Sequence, residues 1–278
     1  EAAPLVEALA ARGVGTGDIA RRPGVDTGRA VVLVDDGGEN SIVVLAGANA
    51  DLDDATVIDG LSEISSGDVL VLQNEVPAEA NRTAARIARR AGASVIWNAA
   101  PAPADVSDLI DDADLLVVNE GELARLASLL GVVSAPSESA IATETDDARD
   151  GVVALLTRVV DVIARRGSGG PASVVEAVCT LGPDGAVLVS AGASHHVGSP
   201  RVDAVDTTAA GDALVGYLAA LSRLPLPERA RIAAAAGALA VTRPGASTSI
   251  PTIDEVDRFR IGVAAAPPRT TPTERTTA

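Results

Sequence analysis

Val205-Asp206-Thr207-Thr208-Ala209-Ala210-Gly211-Asp212 runs without a break into residues 213–223, where Leu214, Val215, Leu218 and Leu221 recur at the spacing of one helix face. This pattern places a helix start within Ala209, Ala210 and Gly211. A helix N-terminus carries backbone N–H groups with no partner inside the helix, together with the positive end of its dipole. Three small residues there leave room for a phosphoryl group to approach those amides. Asp212 falls in the first turn, where a carboxylate can take a proton from an attacking hydroxyl. Capping and dipole effects alone also favour a Gly-Asp pair at a helix start, so the whole string, not the pair, argues for a site.

Upstream of this segment, short Val-, Leu- and Ile-rich runs alternate with longer stretches of helical period. That pattern predicts βαβ units building a mostly parallel sheet. Residues 69–73, 94–97, 115–118, 174–180 and 186–190 are the predicted strands. Between the first two, Ala84, Ala85, Ile87 and Ala88 share a face and Arg82, Arg86, Arg89 and Arg90 remain solvated, so residues 77–91 read as a crossover helix stopped by Gly92. Residues 29–34 and 41–45 are two β-rich runs joined by Asp35-Asp36-Gly37-Gly38, a small antiparallel flap. Residues 131–151 and 167–171 read as surface loops, and the Ala/Pro/Thr/Arg-rich residues 262–278 as a disordered tail. The expected organisation is one α/β domain over residues 1–26 and 48–261, with the strands of the flap over residues 27–47.

With 278 residues the chain can bury a sizeable core. Its formal net charge of −16 argues against nucleic acid as a partner, because phosphate backbones are held by clustered basic side chains. No apolar run approaches the roughly 20 residues of a membrane span, so no membrane partner is expected. Cys179 stands alone, which excludes an internal disulfide and suits a cytoplasmic location. No Met occurs anywhere, so residues ahead of Glu1 are expected in the gene product.

Four further segments carry polar groups at the ends of predicted strands. They are Gln73-Asn74-Glu75, Asn98-Ala99-Ala100-Pro101-Ala102-Pro103, Asn119-Glu120-Gly121-Glu122 and Thr180-Leu181-Gly182-Pro183-Asp184-Gly185. Singly, each reads equally as a turn or a capped helix start. With residues 205–212 and with Ala240-Val241-Thr242-Arg243-Pro244-Gly245-Ala246-Ser247-Thr248-Ser249-Ile250-Pro251, they follow one order. In that order they resemble the ribokinase-like (phosphofructokinase-B) sugar kinase family.

The resemblance implies a Rossmann-like α/β ribokinase fold, a mostly parallel sheet flanked by helices with a small β lid. It implies Asp212 as catalytic base and sugar contact, with Ala209, Ala210 and Gly211 as the anion hole. Asn119, Thr180, Gly182 and Gly185 would bind ATP, Glu75 a sugar hydroxyl, and Glu122 would orient magnesium through water. Asp206, with the carbonyls of Thr208, Ala240, Arg243 and Gly245 and the side chain of Ser249, would hold potassium, an ion suited to hard oxygen ligands. Gly38-Glu39-Asn40 and Ala46-Gly47-Ala48-Asn49-Ala50 resemble the lid strand and its exit, and in that group lid strands pair across a homodimer.

The family begins with a strand bearing a sugar-binding Asp, a further lid strand and a Gly-Gly-Lys loop. None of these is found here, and the sequence has no Lys. The match begins about a quarter of the way into the family, so most sugar-reading groups and part of the lid are expected to be absent. The glycines of Gly13-Val14-Gly15-Thr16-Gly17 follow a helical stretch and lack dinucleotide-loop spacing. His195 and His196, adjacent and the only histidines, are expected in a surface loop rather than at a metal. The expected activity is ATP-dependent phosphorylation of the primary hydroxyl of D-ribose to D-ribose 5-phosphate. The alternatives are a sibling kinase for fructose, a nucleoside or another sugar, or a nucleotide-binding chain without turnover.

Overall fold

The computed structural model describes residues 2–34, 40–108, 111–132, 146–166, 176–190 and 192–265. They form two compact units, one drawn from residues 1–181 and 187–196, the other from residues 182–186 and 197–278.

The first unit is built on a six-stranded sheet in chain order: β3 (Val69–Leu72), β4 (Ser94–Asn98), β5 (Leu115–Asn119), β6 (Glu176–Thr180), β7 (Ala186–Ser190) and β8 (Ala193–Val197). Strands β3 to β6 run parallel, with Leu72 opposite Trp97, Trp97 opposite Leu116, and Asn119 opposite Thr180. A parallel strand covered on both faces must be apolar throughout, and Val95, Ile96 and Trp97 of β4 and Leu115 to Val118 of β5 are all buried. Helices α2 (Asp54–Gly60), α3 (Ala78–Ala91), α4 (Glu120–Leu129) and α5 (Asp146–Arg166) pack on this sheet or on each other.

Helix α3 shows how the crossover is specified. Ala80, Ala84, Ala85 and Ala88 bury a small-residue face, and Gly92 stops the helix in the left-handed conformation. The opposite face is not simply solvated. Arg82 and Arg86 pair with Glu79, and Arg89 pairs with Asp112 and Asp114. The Asp114 carboxylate also accepts the Val95 N–H at 2.7 Å, so it ties the start of β4 to the turn before β5.

Ahead of the sheet lie α1 (Ala3–Ala10) and an antiparallel ribbon of β1 (Arg29–Val34) and β2 (Asn40–Leu45), with Arg29 opposite Leu45 and Val34 opposite Asn40. The expected turn at Asp35 to Gly38 lies outside the described residues.

Three boundaries correct the sequence reading. His195 and His196 lie in strand β8, both exposed, where a surface loop was expected. A strand of Ala-Ser-His-His-Val carries almost no apolar alternation, so only its pairing beside β7 reveals it. Helix α5 begins at Asp146, inside the stretch expected as a loop, because the period of Val152, Leu156, Val159 and Ile163 outweighs the polar composition. Residues 262–265, expected as tail, complete α8 (Ile253–Ala265), and residues 266–278 lie outside the described residues. So does the connector at residues 167–171.

The second unit gathers α6 (Ala210–Ala220), α7 (Leu226–Ala240) and α8. Ile232, Ala235, Ala236 and Val256 form its centre, against which Tyr217, Leu221, Leu224, Leu239 and Phe259 pack. Buried Arg229 of α7 donates to the Leu218 carbonyl of α6 at 3.2 Å. A Cβ on Gly237 would come within 3.1 Å of the Ala210 carbonyl oxygen, so a glycine there lets α7 run close beneath the start of α6. No described helix is long and apolar enough to cross a membrane.

Candidate active site

In the first unit the expected polar residues lie where the parallel strands end. Asn98 closes β4, Asn119 closes β5 and Thr180 closes β6, while Glu75 follows β3 by three residues. Open α/β sheets bind ligands beyond the carboxyl ends of their strands, and Asn119 and Thr180 are direct register partners there. Asn119 caps α4 through a reciprocal pair of bonds. Its Oδ1 accepts the Glu122 N–H at 2.8 Å, and Glu122 Oε2 accepts the Asn119 N–H at 2.7 Å. Burial raises the Glu122 carboxyl above its ordinary range, opposed only by the Asn119 N–H. The buried thiol of Cys179 is pushed up to about 12 by burial and by the charges of Glu120 and Glu122. Glu122 is a half-buried carboxylate at the carboxyl end of β5, an oxygen donor of the kind a hydrated magnesium ion takes.

Glu75 is exposed, and its neighbour Asn74 does the structural work. Asn74 donates its backbone N–H to the Ala100 carbonyl at 2.9 Å and its Nδ2 to the Pro101 carbonyl at 2.8 Å. Its Oδ1 accepts Trp97 Nε1–H at 2.9 Å. These bonds fasten the end of β3 to the Asn98–Pro101 turn, in which the Ala100–Pro101 peptide is cis. Sequence alone assigns Asn74 no role. A buried Trp needing a partner for its indole N–H was the available signal.

In the second unit, Ala209 enters α6 at φ 61° and ψ 8°, the one non-glycine residue with positive φ among the described residues. For an alanine this conformation costs about 1–2 kcal/mol. α6 has no side-chain cap, and a Cβ on Gly211 would meet no atom within 4 Å. The space over Gly211 is thus clear, while the Ala210 N–H of the triplet expected to receive an anion donates to the Thr207 carbonyl at 3.4 Å and would have to exchange that partner for an anion. Asp212, in the first turn, is exposed.

The Asp206 carboxylate fastens this entry to the loop after α7. Oδ1 accepts the Thr208 N–H at 2.9 Å and Oδ2 accepts the Gly245 N–H at 2.8 Å. The Val241 carbonyl in turn accepts both the Val205 and the Asp206 N–H, at 2.8 and 3.1 Å. Hydrogen bonding at Thr208, then at Gly245, holds the Asp206 carboxyl below its ordinary range. Ser249 is fully buried and donates to the Ala246 carbonyl at 2.8 Å. The Ala240 carbonyl accepts the Arg243 N–H at 3.1 Å. The groups expected to hold potassium are all oxygen donors, a carboxylate, backbone carbonyls and a hydroxyl, and hard donors of that type suit an alkali cation.

Gly182 and Gly185 flank the turn after β6, both at positive φ. A Cβ on Gly185 would fall 2.0 Å from the Val197 carbonyl oxygen and 2.7 Å from the Ser199 nitrogen, so no other residue fits there unchanged.

Comparisons with known proteins identify the family. The family model described as pfkB family carbohydrate kinase matches residues 2–253. The chain is 33% identical to a ribokinase of Schizosaccharomyces pombe over 256 residues, 91% of this chain and 74% of that protein. Its fold superposes on the crystal structure of a Thermotoga maritima ribokinase with a TM-score of 0.70 and 32% identity, covering 93% of this chain and 76% of the other. The Arabidopsis thaliana ribokinase complexed with ribose and ATP gives a TM-score of 0.65 at 27% identity, covering 89% and 73% of the two chains. The chain therefore belongs to the pfkB family of carbohydrate kinases, phosphotransferases with an alcohol group as acceptor, and is a kinase of the ribokinase type.

Proposed function

We propose that this protein transfers the γ-phosphoryl group of ATP to the primary hydroxyl of D-ribose, giving D-ribose 5-phosphate and ADP. The observation that carries the reading is the start of α6, which has no side-chain cap, where left-handed Ala209 turns the chain into the helix and Gly211 leaves clear space beside Asp212. Support for the substrates comes from the relative complexed with ribose and ATP.

In this reading Asp212 accepts the proton of the attacking hydroxyl as the O–P bond forms, and the amides of Ala209, Ala210 and Gly211 receive the charge on the transferring group. Transfer of this kind needs little covalent help from the protein, so positioning and charge stabilisation supply most of the rate. Asn119, Thr180, Gly182 and Gly185 are assigned to ATP and Glu75 to a sugar hydroxyl. Magnesium, oriented through water by Glu122, would neutralise phosphate charge. Potassium would be held by Asp206, the carbonyls of Thr208, Ala240, Arg243 and Gly245, and the Ser249 side chain. The exposed Val43, Val44 and Leu45 of β2 suit pairing of the lid with a second copy of the chain.

A coupled assay with ATP, magnesium and potassium across ribose, fructose and nucleosides tests the reading. Selective ADP release with ribose supports it. Selective turnover of another alcohol would move the substrate assignment, and nucleotide binding without any turnover would remove the enzymatic one.

A further inference from the structure

The loop between α7 and α8 is held from both ends by one side chain outside the proposed ligand set. Glu255, in the first turn of α8, accepts the Arg243 guanidinium on Oε1 at 2.8 Å. Its Oε2 accepts the backbone N–H of Thr252 at 2.8 Å and the Thr252 hydroxyl at 3.1 Å. Arg243 sits near the start of the loop and Thr252 at its end, so a single carboxylate closes the loop on itself. Each of these bonds is charge-assisted, the strong kind.

The remaining anchors bear on the same loop. The Tyr217 hydroxyl donates to the Pro251 carbonyl at 3.0 Å, next to Thr252. Asp206 holds Gly245 at the loop's middle, and Ser249 folds back on Ala246. Among these, Glu255 alone grips both Arg243, near the start of the loop, and Thr252, the residue just ahead of α8.

We infer that Glu255 is a positioning residue for the cation site: by fixing Arg243 against Thr252 it sets the distance and direction of the loop carbonyls, and with them the preference for potassium over sodium. This inference rests on the proposed potassium ligands. Arg243 serves twice, its carbonyl toward the ion and its guanidinium toward Glu255. Carbonyls held at a fixed spacing are one source of selectivity between alkali ions, and a loop free to close around a smaller ion loses that source.

Gln at position 255 keeps one acceptor oxygen but turns an NH2 group toward either Arg243 or Thr252, so one of the two grips is lost. The test is the thermal midpoint of the full chain titrated with KCl or NaCl at constant ionic strength, read beside the half-saturating potassium for ADP binding. The variants are Glu255→Gln, Arg243→Met and the two combined, with Thr252→Ala as a control that loses the hydroxyl bond and keeps the N–H to Glu255. The expected result is a potassium-specific stabilisation of the wild type. Half-saturating potassium should rise about tenfold or more in Glu255→Gln and in Arg243→Met, with no further rise in the double variant. Thr252→Ala should lose stability without that shift. If the variants are merely less stable and keep the wild-type potassium response, Glu255 is only a helix cap and the inference is overturned while the cation site stands. If the wild type does not distinguish potassium from sodium, the cation reading fails and this inference with it. Should Glu255→Gln not fold, Arg243→Met decides alone.

Discussion

Asp206 holds Gly245 across a separation of 39 residues, its Oδ2 accepting the Gly245 N–H at 2.8 Å while Oδ1 accepts the N–H of Thr208. One carboxylate thus joins the entry to α6 with the loop that follows α7. Replacing it by Asn substitutes an NH2 for one acceptor and leaves either Thr208 or Gly245 facing a donor. Asp206→Asn is expected to abolish potassium-dependent stabilisation and to lower turnover at saturating ATP. Thermal melts in KCl against NaCl check this, and an unchanged difference between the two salts would contradict it.

Asp212 is exposed in the first turn of α6. Asn at this position keeps the size and removes the base, so Asp212→Asn is expected to lower kcat by about 10²–10⁴-fold. ADP affinity by calorimetry should stay within a few-fold of wild type. Wild-type turnover in this variant would take the proton acceptor away from Asp212.

Glu122 combines a helix cap with a carboxyl whose pKa burial has raised. A raised carboxyl favours its protonated form in the fold, so the stabilisation it permits is fullest at low pH and diminishes as pH rises through that value. Glu122→Gln keeps an acceptor for the Asn119 N–H and removes the charge. Its thermal midpoint without magnesium should equal or exceed that of the wild type at neutral pH. Half-saturating magnesium for turnover should rise by about 10–100-fold, the usual cost of losing an outer-sphere partner. A drop in stability with unchanged magnesium dependence would leave Glu122 a cap alone.

Glu255 titrates in the other direction. The Thr252 N–H first, then Arg243 and the Thr252 hydroxyl, lower its carboxyl from 4.5 to about 2. A depressed carboxyl contributes its stabilisation in full above its ordinary value and loses it as pH falls toward the folded one. The melting temperature of the wild type should therefore decline between pH 4.5 and about 2, and Glu255→Gln should flatten part of that decline.

Among the described glycines, Gly185 would bring an added Cβ closest to other atoms. Its φ of 92° alone would cost a side chain about 1–3 kcal/mol, and a Cβ would overlap the Val197 carbonyl. Gly185→Ala should lower the denaturant midpoint and weaken ATP binding, while Gly216→Ala, open to solvent within α6, should raise or preserve the midpoint.

Much of this was legible in the residues themselves. The parallel strands announce themselves because burial on both faces demands unbroken apolar runs, as in Leu115 to Val118. The entry to α6 shows in Ala209, Ala210 and Gly211, since only small residues leave a helix start open. What escaped was held by partners distant in sequence. Asn74 acquires meaning only when Trp97 and Pro101 are brought to it, and Glu255 only when Arg243 folds back. Strand β8, with exposed histidines and little apolar alternation, exists through its pairing beside β7. The Thr252-x-x-Glu255 spacing was readable as a capping box, but its second duty was not.

The most direct measurement is phosphorus NMR of the purified protein with ATP, magnesium, potassium and D-ribose. Under the proposed function a sugar phosphomonoester signal, identified as ribose 5-phosphate, grows in step with ADP and is lost in Asp212→Asn. ATP bound but unconverted in the presence of ribose and a panel of other sugars and nucleosides would contradict it.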